Sequence, residues 1–234
     1  MKTAQSLLVY LGGFILLSAM ILWNPIPLEF ERVTLETIQD FRTPILTTLF
    51  LAATTLADFE TVVFISCIFT GILLIQQKAN QAISFVTAVL LGSGVMQITK
   101  LIVNRPRPEM EFQLTQAEFT SFPSGHTTIG IIMYGWILYS LTERFPSTTR
   151  SIFRGIGVLG VILPIPVSRM YLGVHWRLDS LGGIMLALGI LTATRSLTNR
   201  LREMRPETRT DFDFKTQTER VIIDSAPTQN NDTQ

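Results

Sequence analysis

The chain holds two histidines, His126 and His175, and both lie among residues suited to binding phosphate. His126 closes the run Pro123-Ser124-Gly125-His126. His175 stands between Ser168-Arg169, five residues before it, and Asp179, three residues after it. Upstream, Lys100 is followed after six residues by Arg107-Pro108. Three cations, a hydroxyl, a glycine and two imidazoles make a set that neutralises phosphate oxygens. They also supply a nucleophile and a proton donor, so acid–base and nucleophilic chemistry on a phosphate is expected.

The elements that must position these residues are membrane helices. The 234 residues are 47% hydrophobic and 16% charged, with mean hydropathy +0.36, against a charged fraction of roughly 25% in soluble domains. The apolar residues fall in long blocks, which suits a bilayer better than a soluble core. Six blocks are expected to span, near Leu7–Trp23, Thr61–Ile75, Ala82–Thr99, Thr127–Leu141, Gly155–Val167 and Ser180–Thr194. The first follows Lys2 and lacks a small-residue cleavage site after Trp23-Asn24-Pro25, so a retained anchor is expected. Thr43–Ala57 is uncharged but carries five threonines, and Leu35, Ile38, Phe41 and Ile45 recur before and into it at helical spacing. An amphipathic helix at the interface is expected there, between the first two spans, in preference to a seventh crossing. Cys67 is the one cysteine, which excludes an intrachain disulfide or a cysteine metal cluster, and a buried, inert thiol is expected. The net charge of +1 and the lack of a basic run give no sign of nucleic acid.

Six crossings put both termini on one side. That side collects Lys2, Lys78, Arg144, Arg150, Arg154, Arg195, Arg200, Arg202 and Arg205, against Arg32, Arg42, Arg105 and Arg177 on the other once the motif cations are set aside. Cytoplasmic termini follow. All three motifs then fall on the extracytoplasmic face, although they played no part in the count. The expected organisation is an all-α, six-span membrane domain over residues 1–205, with its motif region at 100–183, followed by a disordered cytoplasmic tail over residues 206–234.

A cation at mid-membrane costs about 3 kcal/mol on insertion scales. Any one of Lys100, Arg107 and Arg169 is explained by snorkelling to headgroups, but three beside two histidines and an aspartate point to an anion site. Pro123-Ser124-Gly125-His126 reads as the first turn of a helix, where free amides and the dipole favour an anion. His175 and Asp179, four apart, would share a helical face. The carboxylate would then hold one imidazole N–H and leave the other nitrogen aimed at phosphorus. A capping aspartate beside an interfacial histidine is the alternative.

Lys-x6-Arg-Pro, Pro-Ser-Gly-His and Ser-Arg-x5-His-x3-Asp, in this order, resemble the three signature motifs of the type 2 phosphatidic acid phosphatase superfamily. Every signature position is filled between Lys100 and Gly183. The resemblance implies that Lys100, Arg107 and Arg169 neutralise the phosphate, helped by Ser124 and the Gly125 amide. It implies that His175 is the nucleophile, forming a phosphohistidine, that Asp179 orients it, and that His126 is the general acid. No metal or cofactor is implied, and the sequence offers no second carboxylate–histidine group suited to binding a metal. One neutral and one protonated histidine imply a bell-shaped pH profile.

A site between helices at the membrane surface receives a lipid headgroup from the side. A membrane lipid phosphate or diphosphate is therefore the expected substrate, and the resemblance implies undecaprenyl diphosphate, phosphatidylglycerol phosphate or phosphatidate. The short stretch Glu109–Phe122 leaves little material for a headgroup-reading domain. Haloperoxidase activity, which the resemblance also brings to mind, belongs to soluble relatives. The rival class is a catalytically silent lipid-phosphate binder or transporter of the same fold. The motifs do not set the oligomeric state.

Overall fold

A computed structural model describes residues 2–23, 28–117 and 120–204. The expected tail at 206–234 lies outside the described residues. Those described form helices and connecting loops without a strand. In chain order the helices are α1 (Lys2–Trp23), α2 (Leu28–Asp40), α3 (Pro44–Thr55), α4 (Phe59–Ile75), α5 (Ala79–Val103), α6 (Gly125–Thr142), α7 (Ser147–Gly157), α8 (Pro164–Tyr171) and α9 (Arg177–Met204). A π-helical turn, Val158–Ile162, joins α7 to α8.

Four stretches are long and apolar enough to cross a membrane: Thr3–Trp23, Ala79–Val103, Ser147–Tyr171 and Arg177–Arg200. The pair α3–α4, bent by 50°, makes a fifth if it is one broken span. Their outer faces carry a belt of exposed apolar side chains, among them Leu8, Ile15, Phe64, Leu90, Leu101 and Leu159. Such a belt needs hydrocarbon around it. Helix α6, over which a span is expected from sequence, is not among the four. It is the enclosed centre of the bundle, packed by α5, α8 and α9. Ile132, Met133 and Trp136 on it are fully buried, together with Thr127, Thr128 and Thr142. A helix wrapped by other helices has no need of a uniformly apolar surface.

Three expectations are corrected. Cys67 is exposed, because it lies on the outer stripe of α4 with Phe64 and Ile68. The amphipathic pattern does not run through one helix: Leu35 and Ile38 lie on α2, Phe41 in the turn after it and Ile45 on α3. The residue before a proline disfavours α geometry, so the chain breaks ahead of Pro44, and Thr43 caps α3 through its hydroxyl. Leu35 then packs under Phe112 and Trp176 and Ile38 beside Tyr171, while Phe41 and Ile45 are exposed. Finally, Pro123 lies outside α6: Ser124 is its N-cap and Gly125 its first residue.

Candidate active site

The site is assembled from helix ends. Lys100 lies in the last turn of α5, which Asn104 terminates in the left-handed conformation, its N–H bonded to the Lys100 carbonyl. Arg105 to Pro108 then run without helix into the turn Met110–Phe112. Ser124 starts α6, its hydroxyl accepting from the Thr127 hydroxyl at 3.0 Å. Arg169 lies in the last turn of α8 and Asp179 in the first turn of α9.

The spacing from Arg169 to His175 is set by one turn. Gly173 N–H bonds to the Met170 carbonyl at 3.0 Å, and Val174 N–H to the Arg169 carbonyl at 3.2 Å. This is a Schellman motif, whose turning residue takes positive φ. Gly173 has φ +72°, and a Cβ there would stand 1.9 Å from the Phe112 carbonyl oxygen. Only glycine fits, and the turn sends the chain from the cation directly to the imidazole.

His175 is not on the helix that carries Asp179, contrary to the reading from their spacing. It precedes α9, and the carboxylate reaches back from the third helical position. Asp179 Oδ2 accepts from the backbone N–H of Trp176 at 2.9 Å and lies 3.2 Å from His175 Nδ1. The two readings of this aspartate, helix cap and imidazole partner, therefore both describe it. Its second oxygen accepts from Arg105 Nη1 at 2.7 Å, and Ser121 Oγ donates to Oδ2. His175 Nε2 faces Arg107 Nη1 at 3.3 Å, and the same Nη1 donates to the Val174 carbonyl at 2.7 Å. Burial pushes His175 down to about 3 against the pull of Asp179, with Arg107 and Arg169 adding to the effect of burial. The ring is therefore neutral at neutral pH. Burial also holds Arg107 below its usual range.

Around this centre Lys100 Nζ donates to the Thr120 carbonyl. Arg169 Nη1 donates to Thr54 Oγ1 at 2.7 Å, while its buried Nε has no hydrogen-bond partner. The Ser124 N–H bonds to the Asp179 carbonyl at 3.1 Å, tying the start of α6 to the start of α9. Arg107 and Arg169 lie within electrostatic reach of both imidazoles. The residues singled out from sequence thus gather at one end of the bundle. A cavity of about 610 Å³ opens beside them, lined by Arg105, Arg107, Gln113, Gln116 and Thr120 among others.

Sequence reasoning missed three participants. His126 Nε2 lies 2.8 Å from Asp58 Oδ1, a second carboxylate–histidine pair that the motifs do not include. Asp58 sits at the bend between α3 and α4, 68 residues away, where no spacing rule reaches it. Arg105, counted as an ordinary outer cation, is buried and bridges Asp179 to Glu31 of α2. Glu31 Oε2 in turn accepts from the Leu178 N–H at 2.8 Å, capping α9 from a distant helix. Among the described residues no three histidine, cysteine or acidic side chains group as metal ligands do.

The family profile described as the PAP2 superfamily matches residues 81–203. Phosphatidylglycerophosphatase B of Bacillus subtilis is 30% identical over 112 residues, which cover 47% of this chain and 54% of that protein. Undecaprenyl-diphosphatase of Sulfolobus acidocaldarius is 30% identical over 132 residues, covering 50% and 55%. The chain spans about half the length of the curated relatives it matches. A crystal structure of a transmembrane PAP2-type phosphatidylglycerolphosphate phosphatase from Bacillus subtilis superposes with TM-score 0.71 at 22% identity, covering 87% of this chain and 99% of that one. LpxE of Aquifex aeolicus follows at TM-score 0.52 and 26% identity, covering 73% and 93%.

Proposed function

Because the chain belongs to the PAP2 superfamily, we propose that it is a metal-independent membrane lipid phosphatase working through a phosphohistidine. The observation that carries this reading is the setting of His175. Nδ1 is held by a buried carboxylate and Nε2 is turned toward a cation, in a ring that stays neutral. That is the arrangement of an oriented nucleophile.

In the first step His175 Nε2 forms a bond to phosphorus as the bond from phosphorus to the leaving oxygen breaks, and His126 gives that oxygen its proton. In the second, water adds to phosphorus, His126 takes its proton back, and the N–P bond breaks to release phosphate. With Nε2 engaged by Asp58, Nδ1 of His126 carries the transferred proton. Lys100, Arg107 and Arg169, with Ser124 and the Gly125 amide, hold the phosphoryl oxygens. The orphan Nε of Arg169 supports this, since a buried donor without a partner is costly unless an anion accepts from it. Charge stabilisation of this kind is usually the largest catalytic contribution.

The substrate we propose is a lipid phosphomonoester or diphosphate entering sideways from the bilayer. The curated relatives are named for phosphatidylglycerophosphate and undecaprenyl diphosphate, and both, with phosphatidate, are candidates. We propose six crossings, with α6 as the enclosed fourth and an interfacial helix after α1. The termini are then cytoplasmic and the site extracytoplasmic; the basic residues crowded at the opposite helix ends support this. The test is phosphate release in detergent from polyprenyl diphosphate, phosphatidylglycerol phosphate, phosphatidate and a soluble sugar phosphate. Turnover of one or more lipids above the sugar phosphate is expected. Binding of all four without release would make the chain a silent binder, and preference for the sugar would remove the lipid assignment.

A further inference from the structure

The far end of α6 carries a second feature that the reaction does not use. From His126 to Tyr139 is 13 residues, about 20 Å of helix. There, between α6, the π-helical turn and α9, lies a cavity of about 330 Å³. Most of its lining is aliphatic, including Leu138, Val158, Leu163, Leu188 and Leu191, and two arginines, Arg154 and Arg195, also line it. Val158 and Leu163 are exposed on the outer belt, so the cavity communicates with the surface that faces hydrocarbon.

The backbone that shapes this cavity is unusual. Pro164 has no N–H to give to the preceding turn, and the Leu163 N–H reaches the Val158 carbonyl at 2.8 Å, a five-residue step. The widened turn sets the wall of the cavity, and π-helical turns inside α-helices concentrate at functional sites.

The two cations are placed, not scattered. The Arg195 guanidinium lies over the Tyr139 ring at 4.0 Å from its centroid, and Arg154 lies 5.5 Å from the same ring. Arg154 Nε donates to Thr142 Oγ1 at 2.8 Å. Arg150 adds a third positive charge within reach of Arg154. Glu143, the opposing carboxylate, accepts from Gln81 Nε2 at 2.9 Å and from the Tyr139 hydroxyl at 3.4 Å. Among the described residues the end of the cavity is therefore net positive, and most of the rest of its lining is apolar.

We propose that this cavity binds an anionic glycerophospholipid of the leaflet opposite the active site, one acyl chain lying in the aliphatic slot and the phosphate between Arg154 and Arg195. The match is of charge and shape together: hydrocarbon along the slot, a monovalent phosphodiester at the guanidiniums. The site is separate from the catalytic one and does not depend on the phosphatase reading.

The test is photo-cross-linking of the full chain in nanodiscs, with saturating inorganic phosphate to occupy the catalytic cradle. The probes are phosphatidylglycerol and phosphatidylcholine carrying the same diazirine-bearing acyl chain. Each guanidinium near the surface favours an anionic lipid about fivefold. Phosphatidylglycerol is therefore expected to label Leu138, the Val158–Leu163 segment or Leu188 at least roughly tenfold more than phosphatidylcholine. R154Q combined with R195Q should erase that preference. Leu163→Trp, which narrows the slot without touching a charge, should cut labelling by both lipids. His175→Ala should leave it unchanged. Equal labelling by the two lipids in the unmodified protein, or label spread evenly round the outer belt, overturns the proposal. So does label lost in His175→Ala, which would mark substrate in transit. If the double arginine variant does not fold, the lipid contrast and Leu163→Trp still decide.

Discussion

The two histidine–carboxylate pairs are built to opposite specifications. His175 and Asp179 are almost wholly enclosed, with side chains 2% and 0% exposed, and Asp179 is held by Arg105, Ser121 and the Trp176 amide as well. His126 and Asp58 are 26% and 41% exposed. A nucleophile gains from rigid aim and from exclusion of water, which strengthens every charge around it. A proton donor must exchange its proton and let water in for the second step, so an open setting suits it. The difference separates a fixed half of the site from a wet half, and removing parts from each should have different consequences.

The largest effect is expected in the fixed half. His175→Ala should lower turnover by at least roughly ten-thousandfold, because a chain without its nucleophile keeps only binding and charge stabilisation. Single-turnover quench with a 32P-labelled lipid should trap a phosphoenzyme in the unmodified chain and none in the variant; trapping in both would move the nucleophile elsewhere. Next comes the brace. Arg105→Met strands Glu31 and Asp179 as buried charges without their partner, a loss of about 3–5 kcal/mol. The variant should melt well below the unmodified chain. Adding Glu31→Gln should restore part of the loss, and failure to do so would mean that the pair does not act as a unit.

The wet half should be more forgiving, and in a selective way. Asp58→Asn is expected to cut turnover of lipid phosphates about tenfold, less than the roughly hundredfold or more that loss of the acid itself costs. It should barely change a substrate whose leaving group needs no proton, such as a nitrophenyl phosphate. A uniform loss on both would make Asp58 a structural residue of the α3–α4 bend and not a partner of the acid.

How much of this was readable in the sequence follows the same division. The motif residues could be placed because each lies at the end of an apolar block, and block ends at one face must meet. The His175–Asp179 pairing was legible from a spacing of four, although the geometry behind it is a Schellman turn followed by a cap and not a shared helical face. Gly173 carried a signal, as a glycine between a cation and a histidine, but only the Phe112 carbonyl explains it. Asp58, Glu31 and Arg105 were illegible for a physical reason. Their partners are brought by tertiary packing across 68 to 74 residues, and no periodicity links them. Cys67 shows the converse error, since within a bilayer an apolar block has an outer face as well as a core.

The smallest effect concerns pH, and it separates the halves by sign. Burial holds His175 near 3 in the folded chain, while 6.5 is its ordinary value. Between those limits the unfolded chain binds a proton that the folded one refuses. Stability is therefore full above about pH 6.5 and falls as pH is lowered toward 3, by up to about 1.4 kcal/mol per pH unit for one proton. Denaturation midpoints in detergent at pH 7 and pH 5 should drop more for the unmodified chain than for His175→Gln, which has no proton to refuse; equal drops would mean that the imidazole is not held neutral. The same burial removes the acidic limb expected of a bell-shaped profile between pH 5 and 8. Phosphoenzyme formation from a substrate with a good leaving group should be level over that range. Turnover of a lipid phosphate, whose leaving oxygen needs a proton, should instead fall as pH rises; a level profile for both substrates would remove His126 as the acid.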